Sequence, residues 1–161
     1  MKTITRSRIY LPMAAMILTA ALAIPAAAKQ QVPFKGTFQG KDAVNRPTIT
    51  TSGTGTGTHM GVFSLTQETS LTALTGSAHW VAANGDSIDS TFVVSADFST
   101  YSLGYITVTE IHTITSGTGR FTGAQGSFTL ERTHIVATSA DGTHVTFGSF
   151  HGTITSPGAA H

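Results

Sequence analysis

Apolar and polar residues alternate along most of the chain after Lys29, and Thr, Ser and Gly are abundant among the polar positions. A period of two is typical of a β-strand that buries one face, and branching at Cβ favours Thr and Val in strands. Leu, Ala, Glu and Lys rarely cluster with helical spacing in this part of the chain. The pattern therefore predicts an all-β fold.

Turn residues divide this alternation into about eight strands. Asn84-Gly85 and Asp141-Gly142 are the clearest turns, because such pairs tolerate the positive φ angles of a tight type I′ hairpin, and Gly117-Thr118-Gly119 marks a third connection. The predicted strands lie near Val32–Phe38, Thr48–Gly53, Thr58–Glu68, Ser77–Ala83, Ser87–Ser95, Tyr105–Thr115, Ser127–Thr138 and Thr143–Thr155. Short turns between successive strands predict a single antiparallel eight-stranded up-and-down β-barrel, whose closure removes exposed sheet edges.

Glycines punctuate two of these regions. Residues 51–58 alternate Thr or Ser with Gly, which fits either a flexible loop or a strand curled by glycine, and we favour a strand with a mobile end. Gly148 and Gly152 lie inside the last predicted strand, where we expect them to allow the bends that barrel closure needs.

The first 28 residues have the organisation of a secretory signal peptide. Lys2, Arg6 and Arg8 precede an uncharged apolar run from Ile9 to Ile24, and small residues lead up to Ala28. This order predicts cleavage after Ala28, which divides the chain into a signal peptide at 1–28 and a barrel domain at 29–161. An uncleaved membrane anchor is the alternative, but the run is short against the roughly 20 residues of a spanning helix.

The charge balance changes once this segment is removed. The full chain of 161 residues has nine basic and eight acidic residues, and three of the basic ones lie in the first 28. The mature domain then has six basic and eight acidic residues, a formal charge of −2, so no nucleic-acid partner is expected. The chain has no cysteine, which excludes disulfides and Cys-based zinc sites from a protein expected to be secreted or periplasmic.

One stretch resembles a known family. Residues 114–128, ITSGTGRFTGAQGSF, resemble the glycine motif T-G-G-x-G-x-F-x-G-A-x-G of the allene oxide cyclase and dirigent barrel superfamily, closest to its secreted bacterial members. Thr58–Phe63 and Ala82–Asp86 are similar to other segments of those bacterial proteins. Within the motif, Gly117 and Gly119 suit a turn, and Phe121 is expected to pack beneath the loop.

The resemblance implies a barrel whose interior binds a small apolar molecule without a cofactor. In the plant relatives the barrel guides a reactive intermediate to a product of one handedness, and a homotrimer is common among them. The cysteine that lines the plant cyclase pocket has no counterpart in this chain, which places jasmonate-type cyclisation in doubt.

Two predicted strands carry ionisable residues on an otherwise apolar face. Glu110 and His112 share a face of one strand, and Arg132 and His134 share a face of the next. A hairpin centred near Phe121 would place Glu110 opposite Arg132, with both histidines nearby. Inside the barrel these four residues are candidate catalytic or ligand-binding groups, because buried charges must pair and imidazole titrates near neutrality. On the outside they would form an ordinary surface ion pair.

Other candidate residues give weaker signals. Trp80, Phe92 and Phe128 are interpreted as core residues or, in a ligand-binding barrel, as the side chains that contact the ligand. The remaining histidines show no metal-site spacing, and no metal is expected. The chain contains no Gly-x-Ser-x-Gly sequence, so a serine hydrolase of that type is not expected.

Three functions stay open at this point. The first is an exported barrel that binds a small apolar ligand in its interior and has no stable membrane anchor after cleavage. The second is a cofactor-independent cyclase or isomerase that uses the same cavity. The third is a structural or surface-interaction protein with a filled barrel. A cavity of roughly 300 Å³ or more distinguishes the first two from the third.

Overall fold

A computed structural model describes residues 30–155, which fold as a closed, antiparallel, eight-stranded β-barrel in up-and-down order. The all-β class and the barrel topology are confirmed. The strands are β1 (Gln31–Asn45), β2 (Thr48–Gly57), β3 (Gly61–Ser70), β4 (Thr75–Ala82), β5 (Ser87–Asp97), β6 (Tyr105–Gly117), β7 (Gly126–Thr138) and β8 (His144–Thr155). The predicted signal peptide at 1–28 lies outside the described residues, as do residues 156–161.

The barrel closes through pairing of β1 with both β2 and β8. Connections 46–47, 71–74, 98–104 and 139–143 lie at one end, which we call the polar end. Connections 58–60, 83–86 and 118–125 lie at the other, which we call the aromatic end. Within residues 30–155, no helix has the length and apolar character needed to cross a lipid bilayer.

The aromatic half of the interior is filled by large side chains. The Phe34 and Phe150 ring centroids are 4.9 Å apart, and Trp80 lies 5.2 Å from Phe63 and 5.4 Å from Phe128. All five side chains are buried. Edge-to-face and tilted contacts at these separations are favourable aromatic geometries, so the rings form one packed cluster across the barrel.

Inward-facing glycines provide the space for these rings. A Cβ on Gly57 would lie 2.8 Å from Cζ of Phe150, and one on Gly76 would lie 2.2 Å from Cζ of Phe92. Strand β2 continues to Gly57, so the glycine-rich segment is a strand, and the loop alternative for residues 51–58 is wrong. Gly148 and Gly152 also face inward, where a Cβ would meet backbone of β7 at 2.1 and 2.2 Å.

The register between β6 and β7 differs from the prediction by two residues. Glu110 lies opposite Leu130, and Arg132 lies opposite Val108, so the two charged residues are diagonal neighbours. The 3₁₀ turn Gly119–Phe121 sets this offset, and Phe121 is buried beneath it. A shift of two residues keeps the same side chains on the inner face, since strand side chains alternate with period two.

Two further boundaries and one turn also differ. Strand β1 extends to Asn45, well past the predicted end at Phe38, and β3 begins at Gly61 after a turn in which His59 has a φ of 64°. In the 83–86 connection only Gly85 has positive φ, at 89°, whereas a type I′ turn requires it at two successive residues.

Candidate functional site

The polar half of the interior contains a buried ion network that joins three strands. Arg132 on β7 donates from Nε to Oε1 of Glu110 on β6 at 2.8 Å and from Nη1 to Oδ2 of Asp42 on β1 at 2.7 Å. Glu110 and Asp42 are fully buried and Arg132 is 4% exposed. The surface-pair alternative for Glu110 and Arg132 is therefore wrong: these residues face the barrel interior.

Each carboxylate accepts hydrogen bonds from three side chains. Asp42 accepts from Arg132, from Thr51 at 2.6 Å and from His134 at 2.5 Å. Glu110 accepts from Arg132, His112 and Gln67. Buried charges at this depth are stable only when they are paired and hydrogen-bonded, so the network fixes β1, β6 and β7 relative to one another.

His112 belongs to a hydrogen-bonded chain in the barrel centre. Its Nε2 donates to Oε2 of Glu110 at 3.2 Å, because an ionised carboxylate only accepts. Its Nδ1 is then the acceptor for the Ser90 hydroxyl at 3.0 Å, and the Trp80 indole donates to Ser90 at 3.2 Å. The ring also lies between Phe92 and Phe128, with centroids 4.6 and 4.5 Å away. These contacts hold the imidazole in a single tautomer and orientation.

The environment changes the protonation of these groups in a consistent direction. Burial alone raises the pKa of Asp42 and of Glu110, but hydrogen bonds from His134 and His112 and the charge of Arg132 outweigh it, so each pKa is lowered. Burial also dominates at His112, where it lowers the pKa against the opposing effect of Glu110. The folded protein therefore holds two carboxylates and a neutral imidazole around one guanidinium.

These directions predict a two-stage loss of stability in acid. Below the ordinary His value of about 6.5, the unfolded chain binds a proton that folded His112 does not, so the free energy of unfolding should fall by up to about 1.4 kcal/mol per pH unit. Below about pH 4 the fall should steepen, because Asp42 and Glu110 bind protons more readily unfolded than folded. Urea titrations at successive pH values, followed by Trp80 emission, measure both stages.

Two variants isolate the first stage. His112→Gln should flatten the slope between pH 6.5 and about pH 5, whatever its effect on absolute stability. His151→Gln replaces an exposed histidine of the outer face and should keep the wild-type slope. Equal slopes in wild type and His112→Gln would contradict the assignment.

Gln67 on β3 carries the one buried side-chain nitrogen or oxygen atom among residues 30–155 that has no hydrogen-bond partner. Its Nε2 lies 2.9 Å from both carboxylate oxygens of Glu110, which fixes the orientation of the amide. Its Oε1 is buried and has no hydrogen-bond partner among the described residues. A donor at this position, such as water or a ligand hydroxyl, would remove the cost of the unmade bond.

The predicted ligand-contacting residues lie in the core. Trp80 packs on Phe128, and Phe128 and Phe92 both pack on His112. All three aromatic side chains are at most 3% exposed. Their rings fill the part of the barrel interior in which a bound ligand would have to lie.

The network has limited access for chemistry. Ser90, His112 and Glu110 form a serine–histidine–carboxylate chain, but Ser90 is 1% exposed and already accepts a hydrogen bond from Trp80. His134 has the most exposed side chain of the four predicted catalytic residues, at 11%, so it is the group nearest to solvent. Across residues 30–155, no group of three or more His, Cys, Asp or Glu side chains is arranged to hold a metal ion.

Sequence reasoning identified four members of the network and missed Asp42, Gln67 and Ser90. Asp42 follows Phe34 and Phe38 at the same even spacing along β1, so the inward periodicity of that strand contained the signal. Gln67 likewise continues the inward series Phe63 and Leu65. Extending the apolar alternation through polar residues would have found both.

The chain was compared with protein families, with curated proteins and with solved structures. No family model, no curated protein and no solved structure matches the chain.

Proposed function

We propose that the protein is an exported β-barrel that binds its partner through its outer wall and fills its interior with its own side chains. The observation that carries this proposal is the mutual packing of Trp80, Phe92, His112 and Phe128. A ligand site needs concave space lined by available groups. Here the aromatic candidates contact one another, and the charged candidates pair with one another.

Inward glycines support the same conclusion. Small residues inside a barrel leave volume, and a ligand-binding barrel keeps that volume free for its ligand. In this barrel the volume beside Gly57 and Gly76 is taken by the rings of Phe150 and Phe92. Glycine and phenylalanine positions are therefore complementary, which is the packing of a rigid scaffold.

Trp80 provides a direct test, since it is the single tryptophan of the chain and fully buried. We expect titration with cis-parinaric acid, an apolar probe, to give no saturable quenching of Trp80 emission. Native mass spectrometry of the exported protein should show the mass of the mature chain alone. Both results follow from the lack of free space around the indole.

Phe128→Ala is the matched positive control. Removing this ring, whose centroid lies 5.4 Å from that of Trp80, should open an apolar cavity that binds a small probe such as benzene. Saturable one-to-one quenching in the wild type, or a copurifying small molecule, would overturn the filled-barrel proposal.

The unsatisfied Gln67 Oε1 favours a second candidate, ligand binding in the polar half of the interior. A ligand hydroxyl donating to this oxygen would lie beside Glu110, and His134 would provide the proton-transfer group nearest to solvent. The hypotheses of an interior ligand and of a cyclase or isomerase are therefore kept as this second candidate function. It is also the function that kinship to the allene oxide cyclase and dirigent barrels would imply. The copurifying ligand named above is the outcome that selects it.

A further inference from the structure

The outer wall of the barrel carries a shallow, open trough of about 900 Å³ that crosses six strands in the order β3, β2, β1, β8, β7 and β6. Its floor is the main chain of inward-facing residues on four strands: Gly55, Phe38, Gly148 and Arg132. Because those side chains point into the barrel, the floor presents only backbone that is already paired in the sheet. Recognition must therefore come from the walls.

Two parallel rows of outward side chains form these walls. The register aligns one row across five strands: Val62, Thr56, Thr37, Ser149 and Glu131. The second row has the same direction: Thr54, Gln39, Phe147, Thr133 and Thr107. The two rows together cross six strands, and the five spacings between neighbouring strands, at roughly 4.8 Å each, measure about 24 Å along the curved wall of the barrel.

The walls combine many neutral hydrogen-bonding groups with two exposed apolar ones. Phe147 is 46% exposed and Val62 is 60% exposed, although both are outward positions on a solvent-facing sheet. Hydroxyl and amide groups of the threonines, Ser149 and Gln39 surround them. Phe147 therefore presents an aromatic face to solvent between hydrogen-bonding side chains, a surface on which an apolar face of a ligand could pack.

Charge and topology limit what the trough can bind. Glu131 is the one charged side chain that faces it, because Arg132 is turned inward to Glu110 and Asp42. A nucleic acid requires a basic surface, and this trough has none. An extended peptide that adds a strand requires a free sheet edge, and the closed barrel has no such edge in residues 30–155.

We propose that this trough binds a short segment of an uncharged polysaccharide chain. Sugar rings present a C–H face that packs on an aromatic ring and a rim of hydroxyls that exchange hydrogen bonds with Thr, Ser, Gln and Glu side chains. Phe147 lies between Gln39 and Thr133 in its row, so a ring stacked on it has polar partners on both sides. This inference rests on the proposed outer-wall function and names its ligand class.

Retention of the protein on three insoluble uncharged polymers, cellulose, chitin and β-1,3-glucan, tests the proposal. We expect retention on at least one of these polymers. The dissociation constant should be about tenfold larger for Phe147→Ala, because the variant loses an aromatic anchor. Glu131→Gln keeps the shape of the wall and should weaken binding less. Soluble hexasaccharide of the retained polymer should shift the NMR signals of the trough residues.

Phe98→Ala is the matched control. Phe98 is 61% exposed in the 98–104 connection and does not line the trough, so its removal should leave retention unchanged. Far-ultraviolet circular dichroism and Trp80 emission confirm that both variants fold.

Three results would overturn the trough assignment: no retention on any polymer, equal loss in both phenylalanine variants, or self-association that Phe147→Ala abolishes. The last result would mean that a second copy of the chain occupies the trough. None of them changes the interior titration with cis-parinaric acid, so failure of the trough and failure of the filled barrel are distinguishable.

Discussion

Replacing Arg132 by Met should lower the free energy of unfolding by about 3–5 kcal/mol. Arg132 is the guanidinium that joins Asp42 and Glu110, and Met fills similar volume without charge. The variant leaves two buried carboxylates without their cation, and an uncompensated buried charge is far more costly than a lost surface pair. Since a domain of this kind is stabilised by about 5–15 kcal/mol in total, the loss is a large fraction of the whole.

Urea unfolding followed by Trp80 emission measures the effect, and two comparisons make it specific. Arg120→Met removes a half-exposed guanidinium that lies 3.4 Å from Asp86, and it should cost under about 1 kcal/mol. The double variant Glu110→Gln with Arg132→Met should cost less than the sum of the single variants, because the second change removes a charge that the first left unpaired. A loss under about 1 kcal/mol for Arg132→Met would mean that water already reaches these carboxylates.

Adding one methyl group at Gly36 should cost about 3 kcal/mol, the upper part of the range for overpacked cores. The new Cβ would lie 2.2 Å from the Thr56 carbonyl oxygen and 2.7 Å from Cζ of Phe150. The oxygen belongs to the backbone of β2, so relief requires the two strands to move apart. Gly36→Ala should therefore remain unstable when Phe150 is also shortened to Leu.

Gly57→Ala is the matched comparison. Its Cβ would lie 2.8 Å from Cζ of Phe150 but 3.4 Å from the nearest backbone atom, the oxygen of Lys35. The cost of Gly57→Ala should be lost in a Phe150→Leu background, since Leu lacks the far end of the ring. Thermal unfolding of the two glycine variants, of Phe150→Leu and of the two double variants separates the two mechanisms, and equal rescue at both glycines would show that the ring alone limits the space at each.

Much of the fold was accessible from the alternation of residues. Strand number, order and barrel closure follow from a period of two interrupted by turn residues, and these features are confirmed. The second half of β1 was missed because Gly40, Lys41 and Asp42 break the apolar alternation. A buried aspartate is stable in a strand only when it is paired. Its partner Arg132 lies 90 positions away in sequence, so the local pattern could not indicate the pairing.

The site was predictable in its membership but only partly in its geometry. Glu110, His112, Arg132 and His134 share the inner face because a strand keeps its parity through any even shift of register. The two-residue offset itself depends on how the 118–125 connection folds, which the residue pattern does not specify. Whether the interior holds a ligand depends on which ring fits against which glycine, and that is decided by strands far apart in sequence.

Closure through β1 and β8 has a consequence for how the chain matures. Gln31 pairs with Thr155, so the first described strand keeps one hydrogen-bonding edge open until the last strand has been made and delivered. A chain that emerges N-terminus first cannot complete its barrel stepwise, and any truncation within β8 leaves two unpaired edges. Closure of the barrel therefore awaits the C-terminal strand.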